Sequence, residues 1–334
     1  MNRVHASAPG KVIVAGEYAV LHGAPAISMA VDRRVHARID QTAVGSSLVQ
    51  AKGVVEGDFP FVIEKNGGIA WLDRPGPALV TRVLESFRMS GLPPFRLTID
   101  SRACCDASGT RKLGIGSSAA VTVAVAVATA GALDLGEVTV ERVADIHKRF
   151  QGGSGSGVDI ATCYSGGVIR YHMSPGPELS ELAWPQGLEF RLLWSGRAAD
   201  TTASIRRVSG IAADDRPLRA LLRQAAAATE CWQDGAAAEI LTVLRDYTAV
   251  LHEFDRAHGA GIFSAGHRAL AECAKDAGIV YKPCGAGGGD IGIALAPAAD
   301  TRLDEFVATA AAQGFSLVDT QLDTTGVTLH EQAA

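Results

Sequence analysis

The sequence has no excess of basic residues. Its 31 Lys and Arg are outnumbered by 36 Asp and Glu, which gives a formal net charge of −5 and a pI near 6.0. Proteins that bind nucleic acid or anionic membranes concentrate positive charge to neutralise phosphates. We therefore expect neither partner, although a few lysines and helix N-termini can still bind a small anionic ligand.

The chain also lacks a hydrophobic run long enough to cross a membrane. Its most apolar stretch, residues 119–133, is rich in Ala and Val and is shorter than the roughly 20 residues that a spanning helix needs. The apolar N-terminus is interrupted by Pro9, Gly10 and Lys11, which is unlike a signal peptide. We therefore interpret residues 119–133 as a buried helix and expect a cytoplasmic protein.

Metal-binding cysteine patterns are missing as well. The six cysteines form no Cys-x-x-Cys pair, and none lies near a His at the spacing of a zinc site. Adjacent Cys104 and Cys105 are poorly suited to a structural disulfide. We expect all six to be the reduced thiols of a cytosolic protein.

What the chain does contain is an irregular alternation of strands and helices. Strands are predicted over residues 31–39, 95–99, 167–171, 189–194, 291–295, 315–318 and 326–330, and helices over 119–133, 138–150, 301–312 and, two or three of them, within 202–277. Without the regular repeat of a doubly wound sheet, this order indicates the α+β class. Prolines in residues 175–185 mark a boundary, so we expect two domains, residues 1–185 and 186–334.

A glycine-punctuated loop precedes the Ala- and Val-rich helix. Glycines allow a ligand to approach the backbone closely, and the helix that follows offers free N–H groups and a positive dipole end to a phosphate. The loop matches neither a Walker A sequence nor a dinucleotide fingerprint, and a simple strand-to-helix turn is an equal alternative. The candidate phosphate-binding residues are Gly114, Ile115, Gly116, Ser117, Ser118 and Ala119.

Two further loops are unusually rich in glycine. Residues 284–289 lie between two apolar runs and hold more glycines than a hairpin needs, which indicates close approach to a ligand. Residues 151–157 have the composition of a linker but lead directly into ordered sequence at Asp159. Asp159 is either a helix N-cap or a general base. Lys11, at the edge of an apolar run, is either a surface lysine with a buried stem or a ligand-binding charge.

Taken in order along the chain, these motifs resemble the GHMP kinase superfamily. The resemblance covers Pro9-Gly10-Lys11 through Gly16-Glu17-Tyr18, the Gly-x-Gly-Ser-Ser-Ala loop at 114–119 and the Gly-Ala-Gly-Gly-Gly loop at 285–289. It implies an N-terminal α/β domain like that of a ribosomal protein, a C-terminal ferredoxin-like domain, and ATP bound in the cleft between them.

Residues beside the glycines resemble the phosphomevalonate kinase branch of that superfamily. They are Lys112 before the first loop, the Gln-Gly-x-x-Gly-Ser-Gly-x-Asp pattern at 151–159, Asp290 after the last loop, and Trp194-Ser195-Gly196. One departure separates the chain from mevalonate kinases, which carry a magnesium-binding Glu eleven residues before the catalytic Asp. This position is Lys148 here.

The resemblance implies ATP and Mg²⁺ as cofactors, phosphomevalonate as the small-molecule acceptor, and a role for each matching residue. Asp159, Lys11 and Lys112 are the implied catalytic residues, and Ser118 is the implied protein ligand of Mg²⁺. The candidate acceptor-binding residues are Glu17, Tyr18, Ser154, Ser156, Arg197, Gly285, Ala286 and Gly287. The sequence assigns no oligomeric state.

Three other functions remain open at this point. The first is another kinase of the superfamily, with mevalonate as the leading alternative acceptor. The second is a decarboxylase of the same fold, whose active-site motif we do not find. The third is a catalytically silent binding protein on this scaffold, which would have lost motif residues that this chain retains.

Overall fold

The computed structural model describes most of the chain. The described residues are 3–42, 45–89, 92–109, 111–153, 155–173, 176–199, 204, 207–208 and 210–332. Within them, strands and helices form two sheets with helices packed against both. The expected α+β class is therefore confirmed.

The larger sheet is built around two long strands near the start of the chain. Its strands are β1 (Arg3–Ala15), β2 (Ala26–Gln41), β3 (Ser47–Lys52), β4 (Gly57–Ile63), β5 (Ile69–Trp71), β6 (Phe95–Asp100), β7 (Val168–His172), β8 (Glu178–Leu182) and β13 (Thr328–Gln332). Strand β2 pairs along its length with β1, and on its other edge with β6 and β7 in succession. Strands β3 and β6 run parallel, whereas the other described pairs in this sheet are antiparallel.

The smaller sheet is antiparallel and lies in the second half of the chain. It comprises β9 (Leu188–Trp194), β10 (Val280–Pro283), β11 (Ile291–Pro297) and β12 (Ser316–Val318), in the order β10-β11-β9-β12. Side chains alternate between its faces, so Leu192 joins the main core while Leu193 joins a second cluster beneath the C-terminal helices.

Eight α-helices cover the sheets in the described part of the chain. They are α1 (Ala78–Glu85), α2 (Ser117–Ala132), α3 (Val140–Phe150), α4 (Val158–Ser165), α5 (Arg216–Asp234), α6 (Ala237–His258), α7 (Ala265–Asp276) and α8 (Arg302–Ala312). The apolar helix α2 is buried on nearly all sides, as its composition predicts. None of the described helices combines the length and the apolar character needed to cross a membrane.

The two halves of the chain share one continuous core. Residues of β1, β2 and α2 belong to the same buried cluster as residues of α5, α6 and the smaller sheet. The final strand β13 also returns to pair with β1. The division into two domains at residue 185 stays a prediction. Strand β13 lies after that boundary in the sequence but belongs to the larger sheet, which is otherwise built from residues before it.

Candidate active site

A cavity of about 640 Å³ lies where the two halves of the chain meet. This volume is typical of sites for small molecules. Its wall contains twelve of the residues singled out in the sequence: Lys11, Glu17, Tyr18, Lys112, Gly114, Gly116, Ser117, Ser118, Ser156, Asp159, Gly285 and Ala286. The structure therefore brings the three glycine loops and the N-terminal motif to one place.

Lys11 is the residue at which these segments meet. Its ammonium Nζ lies 3.0 Å from Asp159 Oδ1. A β-carbon added at Gly116 would lie 2.7 Å from Lys11 Cγ, and one added at Gly285 would lie 3.8 Å from Lys11 Nζ. The backbone N–H of Lys11 donates to Ile115 O at 2.8 Å. Lys11 is therefore a buried residue of the cavity wall, and the surface-lysine alternative is wrong.

The charge of Lys11 is maintained by its partner. Burial alone would lower the pKa of the ammonium, but the charge and the hydrogen bond of Asp159 raise the pKa above its ordinary value overall. The side chain of Lys11 is only 9% exposed, whereas that of Asp159 is 35% exposed. A positive charge is thus held at the cavity wall beside a carboxylate that a ligand can reach.

Helix α2 begins in this cavity without a side-chain cap. Its N-cap is Gly116, at a φ of 76°, and no side chain accepts from the first turn. Ser117 and Ser118 in that turn line the cavity. The free N–H groups and the dipole of this helix end are suited to a phosphate.

Asp159 lies in the first turn of α4 and does not cap it. The N-cap is Gly157, at a φ of 86°, and Asp159 is two residues further along. The N-cap alternative is therefore wrong, because the carboxylate of Asp159 is directed to Lys11. Ser156, just before the helix, accepts a hydrogen bond from Val158 N at 3.3 Å.

Asp290 approaches the first glycine loop from the other half of the chain. A β-carbon at Gly114 would lie 2.2 Å from Asp290 Cβ, so only glycine leaves room for this approach. The carboxylate accepts from Ala199 N at 3.0 Å. Burial raises the pKa of Asp290, while its hydrogen bond to Ala199 and the charges of Lys11 and Lys112 oppose that rise.

Glu17 belongs to the cavity wall, but its side chain is fully buried and forms a clasp between the two halves of the chain. Its carboxylate pairs with Lys282 Nζ, and these side chains are 0% and 1% exposed. The hydroxyl of Tyr247 donates to Glu17 Oε2 at 2.7 Å and accepts from Gly16 N at 2.9 Å. A role for Glu17 in acceptor contact is not supported by this arrangement, because its side chain has no exposed surface.

Numbered along the chain, the glycine loops are residues 114–119, 151–157 and 284–289, and Tyr18 extends the same clasp to the third of them. Its hydroxyl donates to Ala286 O at 2.6 Å. The residue has a φ of 60°, a backbone conformation that a bulky side chain rarely adopts. Tyr18 therefore fixes the position of the loop and also contributes to the cavity wall.

Four of the described predicted site residues do not line the cavity. Ile115 and Ala119 are buried in the core. Gly287 packs against Ile262, where a β-carbon would lie 2.5 Å from its carbonyl oxygen. The side chain of Arg197 is exposed, and its carbonyl accepts from Asp290 N at 2.6 Å. Ser154 lies outside the described residues.

Sequence reasoning missed His147, which is buried in the cavity wall. Its Nε2 lies 3.2 Å from Ser118 Oγ. It falls on helix α3, which was predicted, but no motif distinguished it from neighbouring polar residues. Lys148, at the position where mevalonate kinases carry a magnesium-binding Glu, is exposed and does not line the cavity.

Metal ligands are sparse in the described part of the chain, where no group of three or more His, Cys, Asp or Glu residues is arranged to hold an ion. The cavity does offer the oxygen of Ser118 and the carboxylates of Asp159 and Asp290. Oxygen donors of this kind suit Mg²⁺, which usually keeps several waters and binds substrate phosphates as well. The residues present therefore fit a Mg²⁺ ion that arrives with a nucleotide.

Comparison with known proteins identifies the family of the chain. A family model for the GHMP kinases N terminal domain matches residues 78–167. A phosphomevalonate kinase of Streptomyces sp. (strain CL190) is 30% identical over 346 aligned residues, which cover 88% of this chain and 90% of the relative. The chain belongs to the GHMP kinase family, in its phosphomevalonate kinase branch. The resemblance seen in the sequence is therefore confirmed.

Other GHMP kinases are similar over less of the chain or at lower identity. A mevalonate kinase of Thermococcus sibiricus is 29% identical over 181 residues, which cover 51% of each protein. The Streptococcus pneumoniae phosphomevalonate kinase, solved in complex with phosphomevalonate and AMPPNP, superposes with a TM-score of 0.77 at 20% identity, covering 95% of this chain and 99% of that one. This likeness shows that the GHMP kinase fold extends over nearly the whole chain.

Proposed function

We propose that the protein transfers the γ-phosphoryl group of ATP to the 5-phosphate of mevalonate 5-phosphate. The product would be mevalonate 5-diphosphate, an intermediate of the mevalonate route to isoprenoids. The observation that carries this proposal is the Lys11–Asp159 pair, which lies beside the uncapped start of α2 in a chain of the phosphomevalonate kinase branch. The Streptococcus pneumoniae relative was solved with both ligand types that this reaction requires.

The triphosphate of ATP is assigned to the first glycine loop and the start of α2. Free N–H groups there favour phosphate oxygens, and Lys112 lines the same cavity with a positive charge. Ser118 is the proposed protein ligand of Mg²⁺. When bound, this ion neutralises charge on the β- and γ-phosphates during transfer.

The transfer step needs positioning and charge neutralisation more than proton removal. A phosphate monoester has its second pKa near about 6, so the acceptor is largely ionised at neutral pH. One of its oxygens forms a bond to the γ-phosphorus while the bond to the bridging oxygen of ADP breaks. Asp159 orients the acceptor, and Lys11, kept charged by Asp159, neutralises the phosphoryl oxygens.

The acceptor is assigned to the part of the cavity between the start of α4 and the third glycine loop. Ser156 and Gly157 lie on one side, and Gly285 and Ala286 lie on the other. Glu17 and Tyr18 would support this region through the clasp, with Tyr18 held by its hydrogen bond to Ala286 O.

The test is a coupled assay of ADP release with mevalonate and mevalonate 5-phosphate compared at equal concentrations. The proposal expects a clear preference for the phosphorylated acceptor. A preference for mevalonate would assign the chain to the alternative kinase. Binding of ATP without ADP release across a panel of isoprenoid and sugar acceptors would instead indicate a silent binding protein.

A further inference from the structure

One face of helix α3 lines the cavity, and the residues of that face are neither lysine, arginine, aspartate nor glutamate. His147, Phe150 and Gln151 line the cavity, as residues three and four apart on one side of a helix should. The intervening Lys148 and Arg149 are exposed and do not line the cavity. Among the residues of this face, His147 is the buried one.

The imidazole of His147 has a polar contact with Ser118. The distance from His147 Nε2 to Ser118 Oγ is 3.2 Å, which is within hydrogen-bond range. Burial lowers the pKa of the imidazole, and the nearby Lys11 charge acts in the same direction, while Asp159 opposes it. In its neutral form an imidazole has one nitrogen that donates a hydrogen bond and one that accepts.

The direction of this hydrogen bond decides what Ser118 can do. A hydroxyl has one hydrogen and two lone pairs. If Nε2 accepts the hydrogen, both lone pairs of Ser118 Oγ are available to a metal ion. If Nε2 donates instead, it occupies one lone pair and directs the hydroxyl hydrogen away from the ring.

We propose that His147 is a positioning residue that accepts the hydroxyl hydrogen of Ser118 at Nε2 and so directs the oxygen lone pairs toward the Mg²⁺–nucleotide complex. The imidazole hydrogen is then on Nδ1. This inference rests on the proposed function, because it takes Ser118 as a ligand of the nucleotide-bound ion. His147 does not contact the reacting atoms, and its influence passes through Ser118. Partners that orient metal ligands in this way commonly change metal affinity by about 10-fold to 100-fold.

The experiment measures binding of AMPPNP by calorimetry, with and without Mg²⁺, so that no turnover is needed. His147→Leu removes the acceptor and should reduce the Mg²⁺-dependent gain in affinity by about tenfold. Affinity without Mg²⁺ should remain at the wild-type level. His147→Gln, whose amide oxygen can accept from Ser118, should recover most of the loss.

A double-mutant cycle with Ser118→Ala separates positioning from a general packing role. In the Ser118→Ala background, His147→Leu should have little further effect on Mg²⁺-dependent binding, because the group through which it acts is gone. Thermal unfolding of each variant checks that the fold is retained. Ser118→Ala without His147 substitution provides the reference for the metal ligand itself.

Specific outcomes would overturn the proposal. Equal weakening of AMPPNP binding with and without Mg²⁺ would assign His147 a packing role. Additive effects of the two substitutions, or a His147→Gln variant as weak as His147→Leu, would show that acceptance from Ser118 is not what matters. If wild-type protein bound AMPPNP without any Mg²⁺ dependence, the proposed function would fail at Ser118 itself, which is a different result.

Discussion

Two lysine–carboxylate pairs each take one residue from the N-terminal motif, Lys11 in one and Glu17 in the other, and the pairs differ in exposure. In the first pair, Asp159 is 35% exposed and faces the cavity beside Lys11. In the second, Glu17 and Lys282 are 0% and 1% exposed. The first pair, Lys11–Asp159, can therefore contact a ligand, and we call it the open pair. The second pair, Glu17–Lys282, can only join parts of the protein, and we call it the sealed pair.

The difference between the pairs shows that burial separates a charge that a ligand can reach from one that only joins parts of the protein. A sealed ion pair requires additional hydrogen bonds to offset the cost of removing charge from water. Tyr247 provides one to Glu17, and the carbonyl of Pro283 accepts from Lys282 Nζ at 3.1 Å. The open pair needs fewer such partners because water or a ligand can solvate Asp159.

The largest expected effect comes from breaking the sealed pair. Glu17→Gln leaves the Lys282 ammonium buried without a counter-charge, and removing one partner of a buried pair typically costs about 3 to 5 kcal/mol. We expect a loss of this size in the free energy of unfolding, measured by urea denaturation. A second substitution, Lys282→Met, removes the stranded charge and should recover part of the loss. A Glu17→Gln variant within about 1 kcal/mol of wild type would contradict the clasp.

The same chemical change in the open pair should affect rate more than stability. In Asp159→Asn, the amide oxygen can still accept from Lys11, and the site remains partly solvated. We expect turnover to fall on the order of 10²-fold, as when a positioned catalytic charge is removed. The loss in unfolding free energy should be smaller than that of Glu17→Gln, because Asp159 is 35% exposed and water can reach the pair. Steady-state kinetics with AMPPNP binding as a control would check this. Near-full turnover with intact nucleotide binding would remove Asp159 from the catalytic residues.

The sequence predicted the segments and residues of the open pair, but it did not predict the sealed pair. The glycine loops, helices α2 and α3 and the strands beside each loop follow from local patterns, and the structure has them. Local patterns also brought Lys11 and Asp159 forward as candidates, because glycines near isolated charges indicate a ligand site.

The sealed pair depends on contacts between distant parts of the chain. Glu17 meets a lysine 265 residues away, and no periodicity predicts that pairing. The same holds for Tyr18 and the loop at Ala286, and for the return of β13 to β1. His147 was missed for a different reason. The sequence predicts which residues share a face of α3, but not that this face lines the cavity.

A smaller effect on stability is expected from the two tyrosines that hydrogen-bond to the glycine loops on either side of the proposed acceptor region. Tyr18 donates to Ala286 O in the third glycine loop, and Tyr171 donates to Ser156 O in the second, both at 2.6 Å. Each Phe substitution should cost about 1 kcal/mol of stability by loss of one hydrogen bond. Thermal unfolding and acceptor KM are the measurements, and each variant is the matched control for the other. A variant with unchanged stability and KM would show that its tyrosine does not fix the loop.

The smallest effect concerns the pH dependence of the open pair. The pKa of Lys11 is raised above its ordinary value of 10.5 because Asp159 outweighs the opposing effect of burial. A raised lysine pKa adds stability that is fully present below the unfolded pKa and is lost as pH rises through the folded pKa. Lys11→Met removes this contribution while keeping an apolar stem. The difference in unfolding free energy between wild type and Lys11→Met, whatever its sign at pH 7, should stay constant up to about pH 9 and decline above about 10.5. Tyrosine ionisation occurs in both proteins and cancels in the difference. A rise in this difference that began well below pH 10.5 would show instead that burial lowers the pKa of Lys11 and that Asp159 does not keep it charged. The open pair would then differ from the sealed one in more than exposure.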